Sequence, residues 1–223
     1  MSSSVDTGID VLNRISNEGD FLEALAAEVA KATDSDTSVS IALVDLDEFG
    51  RVNVDHGTAV GDAVLRLIAS QLSELDIKAK SVFRQTFRNG GDEFVVLLPG
   101  VEKEDAFLAL ERARAAFACE HEIEADGHKM SVPLSFSAAI ATYPEDGTRP
   151  QDVLRKASDA LYRAKSTGRN KVCIAREERM VTKTSHYTHA QLARLSQLAK
   201  REGVGEAVLL REALDEVLRR YGV

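Results

Sequence analysis

The stretch SVSIALVDL, residues 38–46, most constrains the fold. It is apolar almost throughout and lacks the alternation of a strand that is wet on one face. Such a strand needs cover on both sides, so the chain is predicted to build a sheet with helices above and below it. The neighbouring segments supply that cover. Residues 19–33 place Phe21, Leu22, Leu25 and Val29 on one helical face, and residues 59–73 do the same with Val60, Val64, Leu67, Ile68 and Leu72. Helices are also expected over 103–118 and over 150–166, the second opened by Pro150, whose missing N–H is harmless in a first turn. Strands are expected over 82–87, 93–98, 131–142 and 171–175. Alternating strands and helices with one internal hairpin give the α/β class, an α+β sandwich on a mixed central sheet. We assign 1–175 to this domain, 176–180 (REERM) to a charged linker, and 181–223 to a small β-α-α module.

The hairpin is RNGGDEFVVLLP, residues 88–99. Gly90 and Gly91 supply the positive φ that a tight turn demands. Two acids, Asp92 and Glu93, follow at once, and two more, Asp45 and Asp47, end the first apolar strand. Residues two apart on a strand share a face, so Asp45 and Asp47 do and Asp92 and Glu93 do not. If the two strands are neighbours, Asp45 meets one acid of the tip at the sheet end. Carboxylates without His or Cys suit a hard cation such as Mg²⁺, which commonly serves nucleotide phosphates. Acids in turns are also ordinary solvated punctuation, and spacing alone leaves both readings open.

Composition narrows the function. The formal net charge of −8 excludes a chain that binds nucleic acid by bulk electrostatics. The charge is uneven: from Arg176 onward, 9 Lys+Arg face 7 Asp+Glu, leaving +2 there and −10 on the rest. Two cysteines are too few for a disulfide scaffold, and Cys173 lies in an apolar run that suits a core position. No apolar stretch is long enough to span a membrane, and the N-terminus lacks the pattern of a secretory signal. A cytoplasmic protein is expected.

Three motifs together resemble the GGDEF domain, the catalytic domain of diguanylate cyclases. They are GGDEF at 90–94, DLDEFGRVNVDHGTAVGDAVL at 45–65, and ASDALYRAKSTGRNKV at 157–172. The resemblance covers roughly 1–175 and implies a nucleotidyl-cyclase-like fold that joins two GTP molecules, one per subunit of a homodimer, into cyclic di-GMP. It implies that Asp45, Asp92 and the Leu46 carbonyl hold Mg²⁺ (or Mn²⁺), and that Asp92 or Glu93 helps deprotonate the attacking 3′-hydroxyl. Asn53 and Asp62 would read guanine, Lys165 and Arg169 would meet phosphates, and the amides near Phe49 and Gly50 would cradle the triphosphate. Gly90 and Gly91 would let the backbone approach the substrate.

Several positions depart from the family pattern. Gly50 stands where the family has a phosphate-facing Lys, Val54 where it has Asp, Thr58 where it has His, Ser158 where it has Asp, and Ala139 where it has Gly. Gly50 and Ser158 favour an alternative, a GTP or cyclic di-GMP sensor without turnover that regulates DNA binding by the tail. The family's inhibitory R-x-x-D corresponds to Ser81 and Arg84, so no product inhibition by that route is expected.

The tail resembles a ribbon-helix-helix module, a dimeric DNA-binding fold. Thr188 can cap a first helix bearing Leu192, Leu195, Leu198 and Ala199; Gly203 ends it, and a second helix carries Val208, Leu209, Ala213, Leu214 and Val217. The resemblance implies that Thr182, Thr184 and His186 face DNA and that the helix start near Gly205 meets a phosphate. The inward positions, Lys183, Ser185 and Tyr187, include only one core-like residue. Either the strand register is slipped by one, or a dimerisation unit remains without DNA binding.

Overall fold

The computed structural model describes residues 18–77, 84–176, 184–202 and 205–221. The chain divides into two compact units, Met1–Glu177 and Glu178–Val223.

In the first unit, α1 (Glu18–Ser35) leads into β1 (Val39–Leu46), all eight of whose residues are buried. Two helices follow, α2 (Phe49–His56) and α3 (Thr58–Ser73), then β2 (Gln85–Gly90) and β3 (Glu93–Pro99). Next come α4 (Lys103–Phe117), β4 (Cys119–Ala125), β5 (His128–Leu134), β6 (Phe136–Tyr143), α5 (Pro150–Ser166) and β7 (Val172–Ile174). The main sheet has the order β2-β3-β1-β6-β7, so β1 lies at its centre as its continuous apolar character requires. β1 runs antiparallel to β3 and β6, and β7 pairs parallel with β6.

Alternation along β1 divides the core. Ala42, Val44 and Leu46 face the layer that includes α3 and α4, with Val64, Ile68, Leu72, Leu110 and Phe117. Ile41 and Leu43 face α1 and α5, with Phe21, Leu25, Val153, Ala157 and Ala160. The small residues of α5 let that helix lie close to the sheet, which brings its C-terminal turn to the end of β1.

Three local differences from the sequence reading have physical causes. The run 131–142 is two strands rather than one. It breaks at Ser135, and β5 leaves the main sheet to pair with β4 in a separate hairpin. β4, CEHEIEA, is too polar to read as a strand; only Ile123 is buried along it. Leu22 is partly exposed, while Phe21, Leu25 and Val29 hold the inward face of α1.

The second unit contains α6 (His189–Glu202) and α7 (Glu206–Arg220), which lie against each other. Thr188 caps α6 as expected. Its Oγ1 accepts the Gln191 N–H at 3.2 Å, and the Gln191 side chain accepts the Thr188 N–H at 2.9 Å, a reciprocal capping box. Residues 184–188 belong to neither helix nor strand. Thr182, Lys183 and Gly203 lie outside the described residues, as does most of the 176–180 stretch. Among the described residues, no helix is long and apolar enough to cross a membrane.

Candidate active site

The site is assembled at the C-terminal end of β1. The register pairs Asp45 with Glu93, so the acid directly opposite Asp45 is Glu93, and both lie on the α5 side of the sheet. Asp92 occupies the turn, and its carbonyl accepts the Leu46 N–H at 3.4 Å. The turn itself has two central residues, Gly91 and Asp92, between the paired Gly90 and Glu93. Gly90 and Gly91 have φ of 107° and 50°, a backbone only glycine adopts without strain. Arg88 clamps the turn by donating to the Gly91 carbonyl at 2.6 and 3.0 Å.

Asp45 is 2 % exposed. One carboxylate oxygen, Oδ2, accepts a hydrogen bond from Lys165 at the end of α5. The other, Oδ1, is buried and has no partner. Burial pushes the Asp45 pKa up to about 6; Lys165 opposes the rise, and Asp92 and Glu93 add to it. A buried, unpaired anionic oxygen is costly, and a cation is its natural complement. Among the described residues, no three acid, His or Cys side chains form a ready-made metal cage. Mg²⁺ does not need one, since it commonly takes one or two carboxylates and completes its shell with water and substrate phosphate. The donor set therefore fits a hard divalent cation.

Asn53 and Asp62 come from α2 and α3. Asn53 is half-buried and Asp62 exposed, near the starts of a helix pair packed at Gly61. A Cβ on Gly61 would lie 1.9 Å from Asn53 Oδ1, so this glycine sets the position of the Asn53 side chain. Sequence reading did not single out Gly61. α2 begins at Phe49, after Glu48 in a left-handed conformation (φ 56°), so the Phe49 and Gly50 amides stand in its first turn. Gly50 is exposed, with nothing within 4 Å of where a Cβ would stand. Neighbouring Arg51 turns to Asp55 (3.3 Å) and Glu48 (3.8 Å) instead of replacing the missing lysine.

Arg169 is exposed on the loop after α5. It lines a cleft of about 740 Å³ together with Arg51, His56, Cys119 and Asn170. That cleft contains Asp47 and none of Asp45, Asn53, Asp62 or Asp92, so it borders the site and does not enclose it. Asp47 does not join Asp45. It accepts hydrogen bonds from Ser135 Oγ (2.8 Å), Ser137 Oγ (2.7 Å) and the Asn170 N–H (2.9 Å). Ser81 lies outside the described residues, and Arg84 donates to the Leu75 carbonyl. Of the tail positions, Thr182 is outside the described residues, Thr184 and His186 are exposed, and Gly205 immediately precedes α7.

The layers, the strand order and the acids at the sheet end define a nucleotidyl-cyclase-like α/β domain. Residues 7–171 match the diguanylate cyclase GGDEF domain model, and the chain belongs to that family. It is 36 % identical over 168 residues to the diguanylate cyclase DgcP of Pseudomonas aeruginosa, covering 74 % of this chain and 24 % of DgcP. It is 31 % identical over 163 residues to the response regulator PleD of Caulobacter vibrioides, covering 73 % of this chain and 35 % of PleD. The chain thus spans about a quarter to a third of these relatives. Among solved structures, the GGDEF domain of YfiN from P. aeruginosa superposes with a TM-score of 0.67 at 28 % identity, covering 75 % of this chain and all of that one. The active GGEEF domain of a Vibrio cholerae diguanylate cyclase gives 0.64 at 27 %, covering 74 % and 99 %.

Proposed function

We propose that this domain condenses two GTP molecules into cyclic di-GMP. Each 3′-oxygen attacks the α-phosphorus of the other GTP, two P–O bonds form, two pyrophosphates leave, and the 3′-hydroxyl protons pass to protein carboxylates. The observation that carries this reading is buried Asp45, with an unpartnered oxygen, opposite Glu93 and beside the Gly-Gly turn. Asp45, Asp92 and the Leu46 carbonyl would hold Mg²⁺ or Mn²⁺. A cation bound there neutralises charge on the phosphates. Glu93 or Asp92 receives the proton; the register of Glu93 opposite Asp45 and the hydrogen bond it accepts from Asn89 Nδ2 at 3.3 Å support Glu93 in that role. Asn53 donates to and accepts from the guanine edge through its amide, and Asp62 accepts from guanine N–H donors. Lys165 and Arg169 supply positive charge to the phosphates, as do the first amides of α2.

One domain holds one GTP, so turnover requires two domains face to face. In this reading the C-terminal unit dimerises the chain, and its resemblance to a ribbon-helix-helix module extends to a double-stranded DNA partner contacted through Thr182, Thr184, His186 and Gly205.

Purified protein with GTP and Mg²⁺ should release pyrophosphate and cyclic di-GMP, and Asp92→Ala should cut the rate by at least about 100-fold. Absence of turnover at high enzyme concentration would overturn the enzyme reading. The sensor reading is favoured by one observation: Gly50 leaves the phosphate-facing position empty and Arg51 is tied elsewhere. A sensor would show nucleotide-dependent DNA binding with no turnover by the wild type.

A further inference from the structure

The loop after α5 has an unusual backbone. Gly168, Arg169 and Asn170 all have positive φ, 109°, 58° and 45°. Two of them are not glycine, and such conformations cost on the order of 1 kcal/mol or more each unless their surroundings enforce them. Two side chains from distant parts of the chain do so here. Asp47, just beyond β1, accepts the Asn170 N–H at 2.9 Å through Oδ2. Its carboxylate is held by the hydroxyls of Ser135 and Ser137, at the break between β5 and β6. From the other side, Arg114 of α4 donates to Asn170 Oδ1 at 2.7 Å while Glu111 holds its guanidinium at 2.6 and 2.9 Å. The Arg169 N–H donates to the Ala164 carbonyl at 3.0 Å, tying the loop to the last turn of α5, which also bears Lys165.

The enforced residue between these anchors is Arg169, whose own side chain is exposed and has no ion-pair partner among the described residues. Asp47 is thus placed to act through the backbone, one residue from a free guanidinium at the edge of the site.

We propose that Asp47 and Arg114 are positioning residues: by gripping Asn170 from two sides they hold the left-handed Gly168–Asn170 turn and so aim Arg169 at the substrate's phosphates. This rests on the GTP reading above. It assigns to Asp47 a task different from that of Asp45 two residues before it.

The test uses the full chain and 3′-deoxy-GTP with Mg²⁺, a ligand that binds without condensing, measured by calorimetry beside GMP. Asp47→Ala and Arg114→Ala should each weaken 3′-deoxy-GTP by about tenfold, the scale of one charged hydrogen bond. GMP, which lacks the outer phosphates, should bind either variant as it binds the wild type. Arg169→Ala should show the same loss, and the Asp47→Ala, Arg169→Ala double variant should lose no more than the worse single one. Equal loss of GMP and 3′-deoxy-GTP, or losses that multiply in the double variant, would assign Asp47 to general stability and overturn the proposal. So would wild-type affinity in both Asp47→Ala and Arg114→Ala. Should Asp47→Ala not fold, Arg114→Ala, which removes a side chain 16 % exposed, decides alone. A wild-type protein that binds no 3′-deoxy-GTP would instead count against the GTP reading itself.

Discussion

Asp45 concentrates the electrostatic tension of the site in one carboxyl. Burial raises its pKa from 3.8 to about 6, so between these values the folded protein holds a proton that the unfolded chain has released. The stability linked to this group is therefore fully present below about pH 4 and is lost as the pH rises through about 6. A gap of about 2 pH units, at about 1.4 kcal/mol each, bounds the loss at about 3 kcal/mol. Denaturant melts of metal-free protein should show the wild type losing stability relative to Asp45→Asn across that window. A difference that stays flat with pH would remove burial as the cause. Gly61 is the second residue whose role is fixed by distance. Gly61→Ala would put a methyl group 1.9 Å from Asn53 Oδ1, and a side chain moves more readily than two helix backbones. If Asn53 reads guanine as proposed, its displacement should raise KM for GTP about tenfold with a smaller change in kcat. An unchanged KM would show that Asn53 does not read the base.

At the scale of elements, α2 carries two of the departures from the motif that the chain resembles, Gly50 and Val54, and repair there is simple to test. Gly50 sits in the first turn of α2 with open space around it. The Cβ of a Gly50→Lys side chain therefore meets no neighbour. Replacing a helical glycine gains up to about 1 kcal/mol, which outweighs the few tenths lost by placing a cation at a helix N-terminus. If a phosphate-facing charge is what the site lacks, kcat should rise by about 10- to 100-fold, read as pyrophosphate release at saturating GTP. No gain would mean that other groups already supply that charge. The elements differ in how plainly the sequence declares them. β1, α3 and α5 were legible because burial on a fixed face imposes a period, and all three occur where the pattern put them. α2 was not legible by period, since FGRVNVDH buries Val52 alone. The β4–β5 hairpin was not legible, because polar residues dominate β4 and the end of β5 ran on into β6 as one apolar stretch. The acids at the sheet end could be listed from spacing, but their partners could not. Registers and a distant loop decide that Asp45 meets Glu93 and Lys165 while Asp47 meets Ser135, Ser137 and Asn170.

At the scale of the whole molecule, the proposed reaction is bimolecular in protein, and the second unit supplies a surface suited to that need. Leu214, Val217 and Leu218 recur at the spacing of one face of α7, Tyr221 follows just past its end, and each is at least 41 % exposed. Fully burying one such side chain contributes about 1.5–3 kcal/mol, so four of them against a second copy could hold a dimer together at micromolar concentration once the entropy of association is subtracted. Leu214→Glu puts a charge in that face at a residue 57 % exposed, where the fold of the single chain has little to lose. In sedimentation the wild type should run as a dimer and Leu214→Glu as a monomer at the same concentration. Turnover per subunit should then become dependent on enzyme concentration in the variant, because two domains must meet by diffusion, while binding of 3′-deoxy-GTP by each domain stays as it was. A variant that is monomeric yet keeps concentration-independent turnover would place the catalytic pairing in the first unit and leave the tail a different partner.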